Sequence, residues 1–362
     1  MRGRPVPLRW IYRARVGLNR AYRERLDEWE MKLLTADNNR IVRPFDWGLD
    51  WASGWPAAEA MPRNGSGPGE YLAALSAASS QSSEQFFGYT TPTDFQLRDH
   101  LLRFTSPVRT PHEKNNLACA QWFPTSDRKG RAIIVLPHWN AKVNEHVGLC
   151  KGLQYLGLST LRMSLPYHDH RMPPELERAD YAVSSNVGRT MDSTRQAVID
   201  IRCCADWLQS QGYQRIGIIG TSLGSAYAFL ASAHDQRLRT NVYNMFSLYF
   251  ADVVWTGLST LHIRRSFDEA VSLPQLQAAW RAITPAEYIH RYSLMKKKSL
   301  FIYATYDSTF LREYSDAMLE EARMREMDHD VAVVPCGHYT MGRSPFRYLD
   351  GYHICNFFLR NL

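Results

Sequence analysis

The chain has 362 residues, a hydrophobic fraction of 45%, a charged fraction of 22% and a formal net charge of +7. That length buries a sizeable core without disulfides or structural metals, and the composition excludes disordered and collagen-like classes. No uninterrupted apolar stretch is long enough to span a bilayer, and the amino terminus lacks the apolar run of a secretory signal.

The six cysteines are Cys119, Cys150, Cys203, Cys204, Cys336 and Cys355, and none forms a CxxC or CxxH pair. They are expected to be reduced thiols, and the expected compartment is the cytoplasm. The positive charge is concentrated: Met1 to Arg23 carries seven arginines and no acid, interleaved with Trp10, Ile11, Tyr12 and Val16. A solvated basic arm is the simplest expectation, with peripheral contact to an anionic membrane surface as the alternative. No recognisable nucleic-acid-binding module accompanies the arm, so nucleic acid is not an expected partner.

A helix is expected from Arg20 to Leu34, followed by an irregular stretch with Trp47, Trp51 and Trp55. From Met61 to Ser83 the residues are mostly Gly, Ser, Pro and Ala, which predicts a loop or linker. Residues 1–92 are therefore expected to form a basic helical extension with a linker, and residues 93–362 the domain that carries the chemistry.

Leu101 to Phe104 and Leu117 to Phe123 predict early antiparallel strands. The short apolar run Ala132 to Leu136 predicts a strand buried on both faces. A helix (145–155) and a strand (159–163) follow. The long helix expected from Arg189 to Gln211 places Thr194, Ala197, Val198, Ile201, Cys204, Ala205 and Leu208 on one face, and Gly212 ends it. Arg215 to Ile219 predicts the next strand, then a small-residue helix from Gly224 to His234 and a strand from Val242 to Phe250. Leu300 to Ala304 and Val331 to Val334 are further strands around a helix from Leu311 to Arg325. An amphipathic helix with Phe346, Leu349, Ile354 and Phe357 closes the chain. Such alternation specifies a mostly parallel sheet with helices on both faces, and ligands then bind beyond the carboxyl ends of the strands.

Beyond the strand ending at Ile219 stands Gly220-Thr-Ser-Leu-Gly224. A serine on a sharp strand-to-helix turn needs glycines two before and two after, because a Cβ at either place would clash. Ser222 is the candidate nucleophile, and the Leu223 backbone N–H a candidate oxyanion donor. A serine hydroxyl needs a base. His338 fits by position, late in the chain and after the last strand, where a merely structural histidine is the competing expectation. Asp307, after the strand ending at Ala304, is the expected acid, and Asp252 its rival. The second oxyanion donor is expected from Leu136-Pro-His-Trp-Asn-Ala141, with Trp139 first and Asn140 second. His138, Tyr167 and Trp255 are the expected substrate contacts. His168, Asp169 and His170 offer weak support for a metal, and a hydrogen-bonded loop is the expectation there. Lys296-Lys-Lys298 is expected to be a solvated turn.

From about Arg131 onward, Gly220-Thr-Ser-Leu-Gly224, Asp307 and Gly337-His338 in this order resemble the α/β-hydrolase superfamily, in the branch of abhydrolase-type esterases and lipases. The resemblance implies an α/β fold with an eight-stranded, mostly parallel sheet, a small cap at roughly 255–295, no cofactor, and hydrolysis through an acyl-enzyme. A small-molecule or lipid ester is the implied substrate. The elbow motif is shared with peptidases and thioesterases, so it indicates mechanism better than substrate. The alternatives are a peptidase or amidase with the same triad, or a non-catalytic, membrane-associated protein that keeps the hydrolase shape.

Overall fold

The computed structural model describes residues 8–36, 39–61, 65–126, 130–267 and 269–362. Among the described residues nine strands make one sheet: β1 (Gln96–Arg98), β2 (Leu101–Thr105), β3 (Leu117–Phe123), β4 (Arg131–Leu136), β5 (Ser159–Met163), β6 (Arg215–Thr221), β7 (Leu238–Asn244), β8 (Lys298–Ala304) and β9 (His329–Val334). Their spatial order is β1-β2-β3-β5-β4-β6-β7-β8-β9. The first three strands and β5 pair antiparallel, and everything from β5 to β9 is parallel. The expected eight strands are thus nine, because the exposed three-residue strand β1 folds back on β2. It carries no buried residue, so hydrophobic patterning could not announce it.

The central strands are continuous apolar runs because both faces are covered. Ile134 in β4 joins one core cluster with helices Val187–Ser210 and Leu223–Ala233. Its neighbours Ile133 and Val135 point the other way, into a cluster with helices Val147–Tyr155 and Phe346–Asn361. The register sets Leu136 opposite Gly220, Thr221 opposite Asn244 and Ala304 opposite Val334, so the strands end on one rim.

Helix Val187–Ser210 is buried on nearly every side, not only on the expected apolar face. The amino-terminal segment is what covers the rest. Trp55 Nε1 donates to Asp192, Arg195 and Arg202 donate to the carbonyls of Phe86 and Phe87, and Tyr89 donates to Asp206. At the start of this helix, Val187 and Gly188 donate to the carbonyls of Asp46 and Trp47. Gly188 lies against the Gly48 carbonyl, and Gly48, at φ 67°, against the Asn186 side chain, so neither position has room for a Cβ.

Three expectations are corrected. Much of the expected linker at 61–83 is the helix Pro68–Gln81, with Pro68 at its start and Leu72, Leu75, Ser76 and Ser79 buried. Its small residues permit close packing on the helix Leu273–Ala279, and the Ser76 hydroxyl accepts from the Ala282 N–H. The strand expected to run to Phe250 ends at Asn244, and Phe250–Thr256 is a helix. Lys297 is buried rather than solvated, its ammonium donating to the carbonyls of Asp235 and Leu238, while Lys298 opens β8. Burial pushes the Lys297 amine down to about 7.

The first helix runs from Leu8 to Thr35, longer than expected. The first seven residues of the basic arm, and the side chains up to residue 19, lie outside the description. Short helices fill the expected cap region between β7 and β8, Leu261–Phe267 and Leu273–Ala279 among them. Among the described residues no helix is long and apolar enough to cross a membrane.

Candidate active site

Ser222 follows β6 directly and precedes the helix Leu223–Ala233. Its backbone, at φ 54° and ψ −119°, lies in a region that L-residues rarely enter. The surroundings hold it there. The Ser222 N–H donates to Asn244 O at the end of β7 (2.8 Å), and Ser225 N–H closes onto Ser222 O (2.8 Å). A Cβ on Gly220 would overlap the Gly224 carbonyl, and one on Gly224 would press on the Pro137 carbonyl in the loop after β4. The two glycines therefore let three backbone segments meet behind the serine.

The structure brings Ser222, His338 and Asp307 together. His338 Nε2 lies 3.3 Å from Ser222 Oγ, and Nδ1 lies 3.0 Å from Asp307 Oδ2. A carboxylate only accepts, so Nδ1 carries the proton and the Nε2 lone pair faces the hydroxyl. Asp307 is aimed by the N–H groups of Thr309 and Phe310, which donate to its Oδ1 at 2.8 and 2.7 Å. The Phe310 ring lies parallel to the imidazole, with centroids 5.5 Å apart. Burial disfavours the charged imidazole, but the Asp307 carboxylate, aided by Glu30, outweighs it and holds His338 above its ordinary value. Asp252 sits elsewhere, in the helix Phe250–Thr256, accepting from Gln277.

Among the described residues the backbone N–H groups of Leu223 and Trp139 have no hydrogen-bond partner. The Asn140 N–H, by contrast, donates to His168 Nε2 (2.8 Å), so it is committed. Trp139 is fixed by its indole N–H on Ala179 O (2.8 Å), by His262 stacked at 5.6 Å and by the Arg178 guanidinium at 4.5 Å.

The expected substrate contacts fare differently. His138 lies at the surface of the same loop, its Nδ1 2.8 Å from Trp139 O and its ring beside His146. Trp255 is half-buried, stacked on Phe267 with the Arg264 guanidinium over its ring. Tyr167 is a correction: it is completely buried, its N–H donating to Asn115 and its ring packed on His112 and Tyr181. The polar loop around it is structural. His168 donates from Nδ1 to Pro166 O while Nε2 accepts from Asn140, and burial pushes its pKa to about 4. Asp169 pairs with Arg162 at 2.8 Å, both side chains buried. Among the described residues no three potential ligands cluster as a metal site would require.

Two groups escaped the sequence. Glu30, on the first helix, accepts at Oε2 from Tyr339 N–H (2.9 Å) and at Oε1 from Thr340 N–H (2.7 Å). One acid among the four of a charged helix gives no sign of a partner about 300 residues away. Asp350 accepts from Asn244 Nδ2 (2.9 Å) beside the elbow, while its Oδ1 is buried without a partner.

Burial pushes the Asp350 carboxyl up to about 7. Its folded pKa exceeds the unfolded one, so its protonated form favours the fold, and stability falls as pH rises from about 4 through 7. The Asp350→Asn variant is expected to be more stable than wild type at pH 8 by roughly 1–3 kcal/mol, with the gain shrinking toward pH 5. Urea denaturation at the two pH values checks this.

This sheet, with Ser222 after β6, Asp307 after β8 and His338 after β9, has the α/β-hydrolase fold. Solved structures share it. The acylaminoacyl peptidase of Pyrococcus horikoshii matches with a TM-score of 0.57 at 14% identity, over 74% of this chain and 42% of that one. Acetyl xylan esterase 1 from Thermoanaerobacterium sp. JW/SL YS485 matches with a TM-score of 0.56 at 14% identity, over 87% of this chain and 100% of that one. Est1E from Butyrivibrio proteoclasticus, solved with ferulic acid bound, matches with a TM-score of 0.50 at 14% identity, over 67% and 95%. The chain thus spans less than half the length of the peptidase. No family model and no curated protein matches the sequence.

Proposed function

We propose that the chain is a serine hydrolase that cleaves a carboxylic ester through an acyl-enzyme. The observation that carries this is the hydrogen-bonded series Ser222 Oγ, His338, Asp307, with the Nε2 lone pair facing the hydroxyl. His338 takes the Ser222 proton as Oγ attacks the carbonyl carbon. The Leu223 and Trp139 N–H groups receive the oxyanion, each worth about 3 kcal/mol in the transition state. The imidazolium then protonates the leaving alkoxide, the C–O bond breaks, and water, deprotonated by His338, releases the acid. Asp307 fixes the tautomer and stabilises the imidazolium.

An ester is favoured over an amide because the acetyl xylan esterase is matched along its whole length, whereas more than half of the peptidase lies outside the match. The proposed substrate is a small-molecule or lipid ester. The proposed compartment is the cytoplasm, supported by six free thiols. The basic amino-terminal arm is the proposed surface for peripheral contact with an anionic membrane.

A panel of p-nitrophenyl esters beside the matching p-nitroanilides tests the reading. Esters are expected to turn over at least 100-fold faster, and the reverse order would make the protein a peptidase or amidase. Only the neutral imidazole accepts the serine proton, so kcat/KM rises with pH as His338 deprotonates. Asp307 supports the charged form, so the midpoint is expected above 6.5. A profile flat from pH 5 to 9 would remove His338 as the base.

A further inference from the structure

We propose that Glu30 is a positioning residue for the general base: the first helix acts as a strap whose buried carboxylate holds the turn carrying His338. The inference rests on the reading of Ser222 and His338 given above. Glu30 is 3% exposed, and both of its oxygens are spent on consecutive backbone N–H groups, those of Tyr339 and Thr340. These are the two residues that follow the histidine, so the carboxylate sets where the His338 backbone stands. Gly337, just before it, lies flush against the Glu30 carboxylate, leaving no space for a Cβ. The turn is thus gripped from both sides of His338 by one side chain.

The rest of the strap supports that grip. The Tyr22 hydroxyl donates to Pro335 O, and Tyr22 packs on Tyr306 at 5.9 Å, next to the loop that carries Asp307. Leu26 is buried in the core cluster of the carboxyl-terminal helix, and Trp29 meets Phe346. Beyond the helix end, Arg40 donates to Leu34 O and reaches the Tyr339 hydroxyl at 3.2 Å. Three residues of a segment distant in sequence, Tyr22, Glu30 and Arg40, therefore converge on one turn, while Leu26 and Trp29 anchor the helix beside it. A core helix needs apolar contacts; it does not need a carboxylate aimed at the two amides after a base. A misplacement of about 1 Å costs a reaction up to 10²-fold, which is the scale on which such a grip matters.

Glu30 also faces the imidazole electrostatically. The groups around His338 are Asp307 from the β8 side, Glu30 from the first helix, Tyr339 with Arg40 beyond it, and Cys336 within its own turn. Glu30 supports the charged imidazole, so neutralising it moves the acid limb of the rate profile to lower pH. A purely structural role would not move that limb.

The test uses the full chain with Glu30→Gln and Glu30→Ala, with Glu24→Gln on the exposed face of the same helix as a control. Expected for Glu30→Gln are a kcat lowered on the order of 10-fold, KM within twofold, and an acid limb at lower pH, with kcat divided by the fraction of sites titrated by a fluorophosphonate. Glu30→Ala, which keeps no acceptor, is expected to lose more. Gly337→Ala, which forces the carboxylate off the turn from the other side, is expected to lower kcat similarly, and it stands in should Glu30→Ala not fold. Unchanged kcat and limb in the Glu30→Gln enzyme, or a loss matched entirely by fewer titrated sites, would overturn the proposal. A His338 Cε1–H NMR titration separates the two claims. If wild type neither turns over esters nor takes the probe, the hydrolase reading fails, while a lowered His338 pKa and a shifted Tyr339 amide in Glu30→Gln still support the strap. If the enzyme is active and neither signal moves, the strap alone fails.

Discussion

Replacing Ser222 with alanine is expected to lower kcat on the order of 10⁶-fold and to abolish fluorophosphonate labelling, with the thermal midpoint little changed. The hydroxyl is the only atom removed, and the elbow is held by backbone contacts: Ser222 N–H on Asn244 O and the close approach of Gly220 to Gly224. Asp307→Asn is expected to cost about 10⁴-fold. An amide in place of Oδ2 can donate to Nδ1, which forces the proton onto Nε2 and turns the base's lone pair away from Ser222. On the proposed mechanism the Leu223 and Trp139 N–H groups are untouched by either change, so turnover above the rate in water is expected to persist in both variants. Equal labelling of wild type and Ser222→Ala would show that the nucleophile lies elsewhere.

The second large effect concerns Arg162, in the middle of the buried strand β5. Its guanidinium is completely buried and each of its nitrogens is engaged: it pairs with Asp169 at 2.8 Å and donates to the carbonyls of Glu145 and Lys142, both at 2.8 Å. Arg162→Met keeps the bulk of the stem but leaves the Asp169 carboxylate in the interior with only the Ser164 hydroxyl, at 3.1 Å. The expected loss is about 3–5 kcal/mol in urea denaturation, because an uncompensated charge is what remains. Adding Asp169→Leu is expected to recover part of it. The two carbonyls belong to the segment that runs on from Trp139, so residual folded enzyme is also expected to turn over more slowly. A loss below about 1 kcal/mol would mean that water reaches Asp169 and solvates it.

Much of the sheet was readable because its central strands are buried on both faces and therefore carry unbroken apolar runs, as in Ala132 to Leu136. The elbow was readable for a different reason: glycine is the only residue that fits at 220 and 224 once three backbones crowd the serine. Chain order then pointed to Asp307 and His338. What stayed hidden has physical causes too. Helix Val187–Ser210 carries polar residues on the side away from the sheet, yet that side is also buried, because their partners lie far earlier in the chain, as with Trp55 and Asp192, 137 residues apart. The serine- and alanine-rich stretch before it reads as a linker until a partner helix is present to pack on. Tyr167 looks like a cleft residue in a polar loop, but it is completely buried, its N–H held by Asn115 and its ring packed on His112 and Tyr181. Glu30 is legible only in three dimensions, since a carboxylate that binds backbone amides selects no residue type in its partners.

The meeting of Gly48 and Gly188 gives the molecule a seam that can be opened by a single methyl group. An alanine at 188 would stand where the Gly48 carbonyl now rests, so Gly188→Ala is expected to push the segment around Gly48 off the long helix. Displaced as far as Trp55, that segment uncovers Asp192 to solvent. The long helix beneath would gain a wet outer surface while the sheet and the serine turn stayed in place. Looser covering of the long helix, with the sheet intact, is therefore the expected result of one small substitution at Gly188.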